Sequence, residues 1–187
     1  MRSLVCWRLS RSALLLQVTI FLNGHNMKIF IGADHAGFGL KDLIKQDLLA
    51  AGHEVVDCGA AEYNEDDDYP DFVIPIAKAV SLDANAKGIV IGGTGQGEAI
   101  CANKFKGIRA AVWYGSGNQI ASDTEKIIEL SREHNDANVL SIGARFVTEE
   151  ETLDAVHRWL ETPFSGDERH KRRIEKIHKV EASSDAH

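Results

Sequence analysis

The short run Gly88-Ile-Val-Ile91 carries no polar alternation, and it opens directly into the turn Gly92-Gly-Thr-Gly-Gln-Gly97, closed by Glu98. A strand that is apolar on both faces needs helices on both faces, an arrangement found almost only in parallel sheets. The glycines at 92, 93, 95 and 97 let the turn take positive φ and bring its backbone N–H groups up to a ligand. From Gln96 onward, Glu98, Ala99, Ile100, Ala102, Asn103 and Lys104 read as a helix whose N-terminus points at whatever the turn holds. Such a place suits an anion, either a phosphate or a developing oxyanion. Glu98 then has two readings: a base beside an anion hole, or an acid that steadies a helix N-terminus.

The rest of the chain alternates strands and helices around this stretch. A first strand is expected over Lys28 to Ala33, ending in Gly32-Ala-Asp-His35. A helix follows from about Gly37 to Ala51, with Leu40, Leu43, Ile44, Leu48 and Leu49 on one face and Gly52 at the C-cap. Glu54 to Asp57 is a second strand, and Asp66-Asp-Asp68 reads as a solvated loop. Pro70 opens a helix carrying Phe72, Val73, Ile76, Ala77 and Val80. Beyond Glu98, strands are expected over Ile108 to Trp113 and Asn138 to Ile142, and helices over Asn118 to Arg132, Thr148 to Leu160 and Gly166 to Val180. The pattern implies an α/β fold, a Rossmann-like three-layer αβα sandwich on a five-stranded parallel sheet. The expected order is 2-1-3-4-5. Strands 1 and 3 are then neighbours at the topological switch point, where ligands of such sheets bind. Asp34-His35 and the glycine turn with Glu98 converge there.

The chain has 187 residues, enough for one domain, expected over 27–180 with a short tail over 181–187. A net charge of −7 argues against nucleic acid or an anionic membrane as the main partner. Cys6, Cys58 and Cys101 have no C-x-x-C spacing and read as free thiols of a reducing, cytoplasmic protein. Residues 1–26 contain Arg2, Arg8, Arg11 and an apolar run from Ala13 to Leu22. The run is too short for a bilayer and lacks a clean A-x-A site, so an N-terminal extension outside the fold is expected rather than a signal or transit peptide. Met27-Lys-Ile-Phe-Ile31 would begin the first strand.

The glycine turn is neither a dinucleotide fingerprint nor a Walker A loop: it lacks the G-x-G-x-x-G spacing, follows the third strand, and has no Gly-Lys-Ser/Thr. A small anionic substrate or an enolate is the better match, with Thr94 offering a hydroxyl. His134, on its own, reads as a surface or capping histidine. Arg169 and Arg173 lie four apart on one side of a helix, either a solvated face or a two-pronged phosphate clamp, with Arg145 as a third donor. His25, His53, His157, His178 and His187 lack partners at ligand spacing, so no metal site is expected.

Met27-Lys-Ile-Phe-Ile-Gly-Ala-Asp-His-Ala-Gly-Phe38, Asp57-Cys-Gly59, Asp68-Tyr-Pro70, the turn ending at Glu98, Ala102-Asn-Lys104, Ser131-Arg-Glu-His-Asn-Asp-Ala-Asn138 and Glu168-Arg-His-x-Arg-Arg173 follow one another in order. Together they resemble the type B ribose-5-phosphate isomerases, within the wider family that includes galactose-6-phosphate isomerase subunits, over Met27 to Val180. The resemblance implies an aldose–ketose isomerase without metal or cofactor. It would interconvert ribose 5-phosphate and ribulose 5-phosphate through a cis-enediolate, as a homodimer or dimer of dimers whose subunits share each active site. It implies Glu98 as the base, in place of a cysteine that other members would carry at the position of Gly92. Gly93, Thr94, Gly95, Gln96 and Gly97 would surround the enediolate. Asp34 and His134 would move protons during ring opening, and His35 and Asn135 would contact the substrate. Arg145, Arg169 and Arg173, with His170, would hold the phosphate. The chain is longer than this family pattern between Arg109 and His134, about Gly115 to Glu129. Isomerases of other sugar phosphates, tetrose or hexose (the galactose 6-phosphate type), therefore stay open, as does a non-catalytic sugar-phosphate-binding module.

Overall fold

β1 (Lys28–Ala33), β2 (Glu54–Asp57), β3 (Lys87–Gly92), β4 (Ala110–Trp113) and β5 (Val139–Gly143) form one sheet in the order β2-β1-β3-β5-β4. The computed structural model describes residues 26–115 and 127–183. The N-terminal extension, most of the expanded segment and the first half of the helix expected from Asn118 lie outside the described residues. All strand pairs are parallel, with Ile31 beside Ile89 and Ile89 beside Leu140 in the middle of the sheet. The α/β class and the helices on both faces are as expected. The order of the last two strands is not: β5 lies inside and β4 takes the edge. Val139 to Gly143 is buried at every position, whereas three of the four β4 residues are only half-buried. The strand that can be covered on both faces goes inside, and Ala110-Ala-Val-Trp113 is left outermost.

Side-chain alternation divides the sheet between two cores. Ile29, Ile31, Ile89, Ile91, Leu140 and Ile142 face α1 (Phe38–Ala50), α4 (Ile127–Asn135) and α5 (Glu149–Glu161), where Ile44, Leu48, Ile128, Val156 and Trp159 meet them. On the other face Val90 and Val139 pack on Val73, Ile76 and Val80 of α2 (Tyr69–Leu82) and on Ala102 of α3 (Gln96–Ala102). Local signals set the helix ends. Thr148 accepts a bond from the Glu151 backbone N–H at 3.2 Å, and Glu149, Glu150 and Glu151 occupy the first turn of α5, favourable at the positive end of the helix dipole. α6 (Glu168–Ser183) is largely exposed, with His170 its buried residue.

β1 connects outward to β2 while β3 leads the other way, so the carboxyl ends of β1 and β3 border the crevice. Ile142 stands at the wall of the first core and is fully buried. Ile142→Ala should cost about 2–5 kcal/mol, from lost transfer energy and the cavity left behind, read as a lower urea midpoint with unchanged slope.

Candidate active site

The Glu98 carboxylate lies directly over Gly92 at the end of β3. A Cβ built on Gly92 would fall 1.7 Å from Glu98 Oε1 and 2.2 Å from its carboxyl carbon. Glu98 is only 4% exposed. Burial pushes its pKa up, a bond from its own backbone N–H opposes this, and the charge of Asp34 raises it further. The carboxylate is thus held in the first turn of α3 with little water, as a stronger base than a surface glutamate.

The turn that carries it is packed from three sides. Gly95 has φ +71°, and a Cβ there would meet the backbone of Ile142 and Gly143 at 3.1 Å. Ser141 donates its hydroxyl to the Gly95 carbonyl at 2.6 Å, tying the turn to β5. Gly97 lies under Tyr69, whose Cζ would be 2.7 Å from an added Cβ. At Gly93 the Arg145 guanidinium takes the equivalent place, 3.1 Å away, and Arg145 donates its backbone N–H to the Gly93 carbonyl at 3.2 Å. The Gln96 backbone N–H donates to Thr94 Oγ1 at 3.3 Å, which leaves the hydroxyl hydrogen to serve another acceptor. The Gln96 side-chain amide donates to the Tyr114 hydroxyl, and the Tyr114 ring meets Phe146 edge-on at 6.0 Å.

Across the crevice, Asp34 caps the short 3-10 turn His35–Gly37 by accepting from the Ala36 N–H at 2.9 Å. His35 meets Asp67, whose Oδ1 accepts from the His35 backbone N–H at 3.0 Å and lies 2.7 Å from ring Nδ1. That bond raises the His35 pKa, with Asp34 adding to it. Asp34, His35 and Asp67 have ligand atoms within 4.8 Å of one another, a spacing a metal ion could use. The two closest of those atoms are already spent on the His35–Asp67 bond. Asp67 corrects the reading of Asp66-Asp-Asp68 as a solvated loop, because its side chain is 7% exposed.

The crevice therefore brings together Asp34, His35, Gly93, Thr94, Gly95, Gln96, Gly97, Glu98 and Arg145. His134, Asn135, Arg169, His170 and Arg173 lie elsewhere in this chain. α4 runs down to the start of β5, so His134 and Asn135 sit at the amino ends of the strands, opposite the crevice, where Arg109 Nε donates to the Asn135 carbonyl at 2.9 Å. The His134 and His170 rings stack there, with centroids 4.3 Å apart and planes 10° apart. His170 is 2% exposed and accepts from Arg169 Nε at 3.0 Å. Burial lowers its pKa, and neighbouring His134 and Arg169 lower it further. Arg169 and Arg173 project into solvent.

The family profile described as Ribose/Galactose Isomerase matches residues 29–177. The chain belongs to this family. It is 41% identical over 160 residues to ribose-5-phosphate isomerase B of Mycobacterium tuberculosis, covering 86% of this chain and 93% of that one. The same enzyme of Escherichia coli is 41% identical over 154 residues, 82% and 96% of the two chains. Among solved structures, ribose-5-phosphate isomerase B from Mycoplasma genitalium with bound ribulose-5-phosphate superposes with a TM-score of 0.77 at 39% identity, covering 84% of this chain and 99% of that one. The enzyme from Clostridium thermocellum gives 0.75 at 45% identity, covering 84% and 99%.

Two residues that border the crevice carry no sequence signal of their own, Tyr69 and Asp67. Tyr69 stood inside Asp68-Tyr-Pro70, where Pro70 drew attention as a helix start, and the packing of its ring on Gly97 leaves no local trace. The geometry at Gly92 also bears on the two base positions implied by the family resemblance. A side chain at 92 and the Glu98 carboxylate compete for one volume. Gly92→Ala should displace the carboxylate, lowering kcat at least about a hundredfold while the melting temperature moves little, since a flexible side chain can swing away. The charge of Glu98 should also cost stability. With its folded pKa raised, the penalty is absent below the ordinary carboxylate range and grows as pH rises through the folded value. Glu98→Gln should therefore melt at the same or higher temperature at neutral pH and lose that pH dependence, as differential scanning calorimetry would record.

Proposed function

We infer that this chain is an aldose–ketose isomerase that interconverts ribose 5-phosphate and ribulose 5-phosphate. One observation carries the chemistry: a buried, high-pKa carboxylate poised over a side-chain-free glycine, in the crevice between β1 and β3. Family membership and relatives named ribose-5-phosphate isomerase B support the substrate. In the open-chain aldose, Glu98 takes the proton from C2 and the electron pair flows to the C1 carbonyl oxygen, giving a cis-enediolate. The same carboxyl group returns the proton to C1 while the proton on O2 passes to O1, leaving a ketone at C2 and a hydroxyl at C1. The charge that develops on oxygen is met by backbone N–H groups of the Gly93–Gly97 turn other than that of Gln96, which donates to Thr94 Oγ1, and by the Thr94 hydroxyl. Loss of one such donor typically costs about 10²–10³ in kcat. The Glu98 carboxylate lies over Gly92, and a phosphate beside it would be repelled, so the phosphate belongs beyond the glycine turn, on the arginines.

His134, Asn135, Arg169 and Arg173 enter this scheme through a second subunit. They lie by the amino ends of the strands within one chain, on α4 and the exposed α6, so a homodimer, alone or paired into a tetramer, would bring these residues of one chain to the other's crevice. His134 then passes protons in ring opening with Asp34, and the two arginines join Arg145 and His35 on the phosphate. His170, buried beneath His134, supports that ring. The free thiols Cys58 and Cys101 suit an enzyme of the cytoplasm, and no helix among the described residues is long and apolar enough to cross a membrane.

Ribulose 5-phosphate supplied in deuterated water should gain deuterium at the reacting carbon as it isomerises, followed by NMR. Wild-type protein that neither exchanges nor converts it, nor tetrose and hexose phosphates offered in parallel, would overturn the isomerase reading. Glu98→Gln should bind substrate yet turn over about 10³–10⁴ more slowly. The shared site makes a separate prediction. Inactive Glu98→Gln and His134→Asn chains, unfolded together and refolded as a mixture, should recover about a quarter of wild-type activity, because each mixed dimer holds one intact site. No recovery, with mixed dimers verified by mass spectrometry, means that each site is built from one chain.

A further inference from the structure

We propose that Asp67 is a positioning residue for His35, holding its ring so that Nδ1 carries the proton and Nε2 is presented to the anionic group of the substrate. The proposal rests on the reading of the crevice as a sugar-phosphate site and assigns a residue that reading does not use. Asp67 Oδ1 takes two contacts from one residue, the His35 backbone N–H at 3.0 Å and ring Nδ1 at 2.7 Å. This grips the histidine at both ends of its χ1 and χ2 torsions. An ionised carboxylate only accepts, so Nδ1 must be the donor, and the proton on the other nitrogen decides whether the ring is neutral or cationic. The Asp67 side chain is 7% exposed, and its Oδ2 is buried with no hydrogen-bond partner among the described residues. A carboxylate left half-satisfied and dry has a strong preference for a cationic neighbour.

The groups facing His35 are Asp34 from the end of β1, Asp67 from the loop before α2, and Arg145 from the 3-10 turn Ala144–Phe146, with the Tyr63 ring edge-on at 6.4 Å. The two carboxylates outweigh the arginine, so the His35 pKa lies above the usual imidazole value, the Asp67 bond being the first cause. The imidazolium and the Arg145 guanidinium then stand together, a pair that repels itself until a dianion arrives between them. Substrate affinity should therefore be highest below the His35 pKa and weaken as pH rises through it.

Asp67→Asn keeps the shape and removes the charge. In the full-length enzyme it should raise KM for ribulose 5-phosphate about tenfold, with kcat falling far less, and the rise of KM with pH should begin at a lower pH. Inorganic phosphate should inhibit this variant about tenfold more weakly than wild type. In a His35→Asn background the same change should add nothing further. A loss confined to kcat, or full additivity in the double variant, would overturn the assignment. The ring ¹⁵N shifts of wild-type His35, assigned by difference with His35→Asn, test it without any change at Asp67: a ring protonated on Nε2 alone at neutral pH overturns it. Absence of isomerisation by the wild type would sink the functional reading, whereas the ¹⁵N shifts and phosphate binding would still decide the role of Asp67.

Discussion

Burial of β3 on both faces is the constraint from which the rest of this structure follows. Ile89, Val90 and Ile91 are almost completely hidden, and covering them requires helices above and below and parallel neighbours on either side. That requirement puts β1 on one flank and β5 on the other, and it places the end of β3 at the switch point. It also means that the turn past the strand starts from a buried end and brings Gly95 and Glu98 back into the interior, while Thr94 and Gln96 reach solvent. Glu98 is buried because the strand feeding it is buried, and its raised pKa is a direct result.

A second consequence is the use of glycine as empty space. Each of three glycines in the turn makes room for a different group: Gly92 for the Glu98 carboxylate, Gly93 for the Arg145 guanidinium, and Gly97 for the Tyr69 ring. Gly95 instead supplies the positive φ and the close approach to β5. The turn is thus less a flexible loop than a set of slots. Its glycines suggested an anion cradle on grounds of backbone freedom alone. Where they stand shows that side-chain room matters as much.

Charge is distributed in keeping with this. The crevice of one chain holds one arginine and the Glu98 carboxylate, whose reluctance to ionise comes from burial and is increased by the charge of Asp34. Most of the remaining cationic groups that a phosphate would need, Arg169 and Arg173, are displayed on an exposed helix away from that crevice. On the proposed reading, a monomer so divided has the base without the clamp, and this division is the physical motive for proposing a site shared between two copies.

Local pattern alone determined the α/β class, the positions of the strands and helices among the described residues, the pairing of β1 with β3 and the meeting of Asp34, His35 and Glu98 in one crevice. Each of these follows from periodicity, caps and the rule for switch points, which act over a few residues or one βαβ unit. The tertiary structure decided the exchange of β4 and β5, because relative burial across a sheet is a competition between strands that no single strand reveals. It decided that Asp67 leaves solvent to hold His35, and that His134 stacks on His170 far from Glu98 in the same chain. Those outcomes depend on contacts between residues more than thirty apart in sequence, where neither spacing nor propensity carries information about the partner.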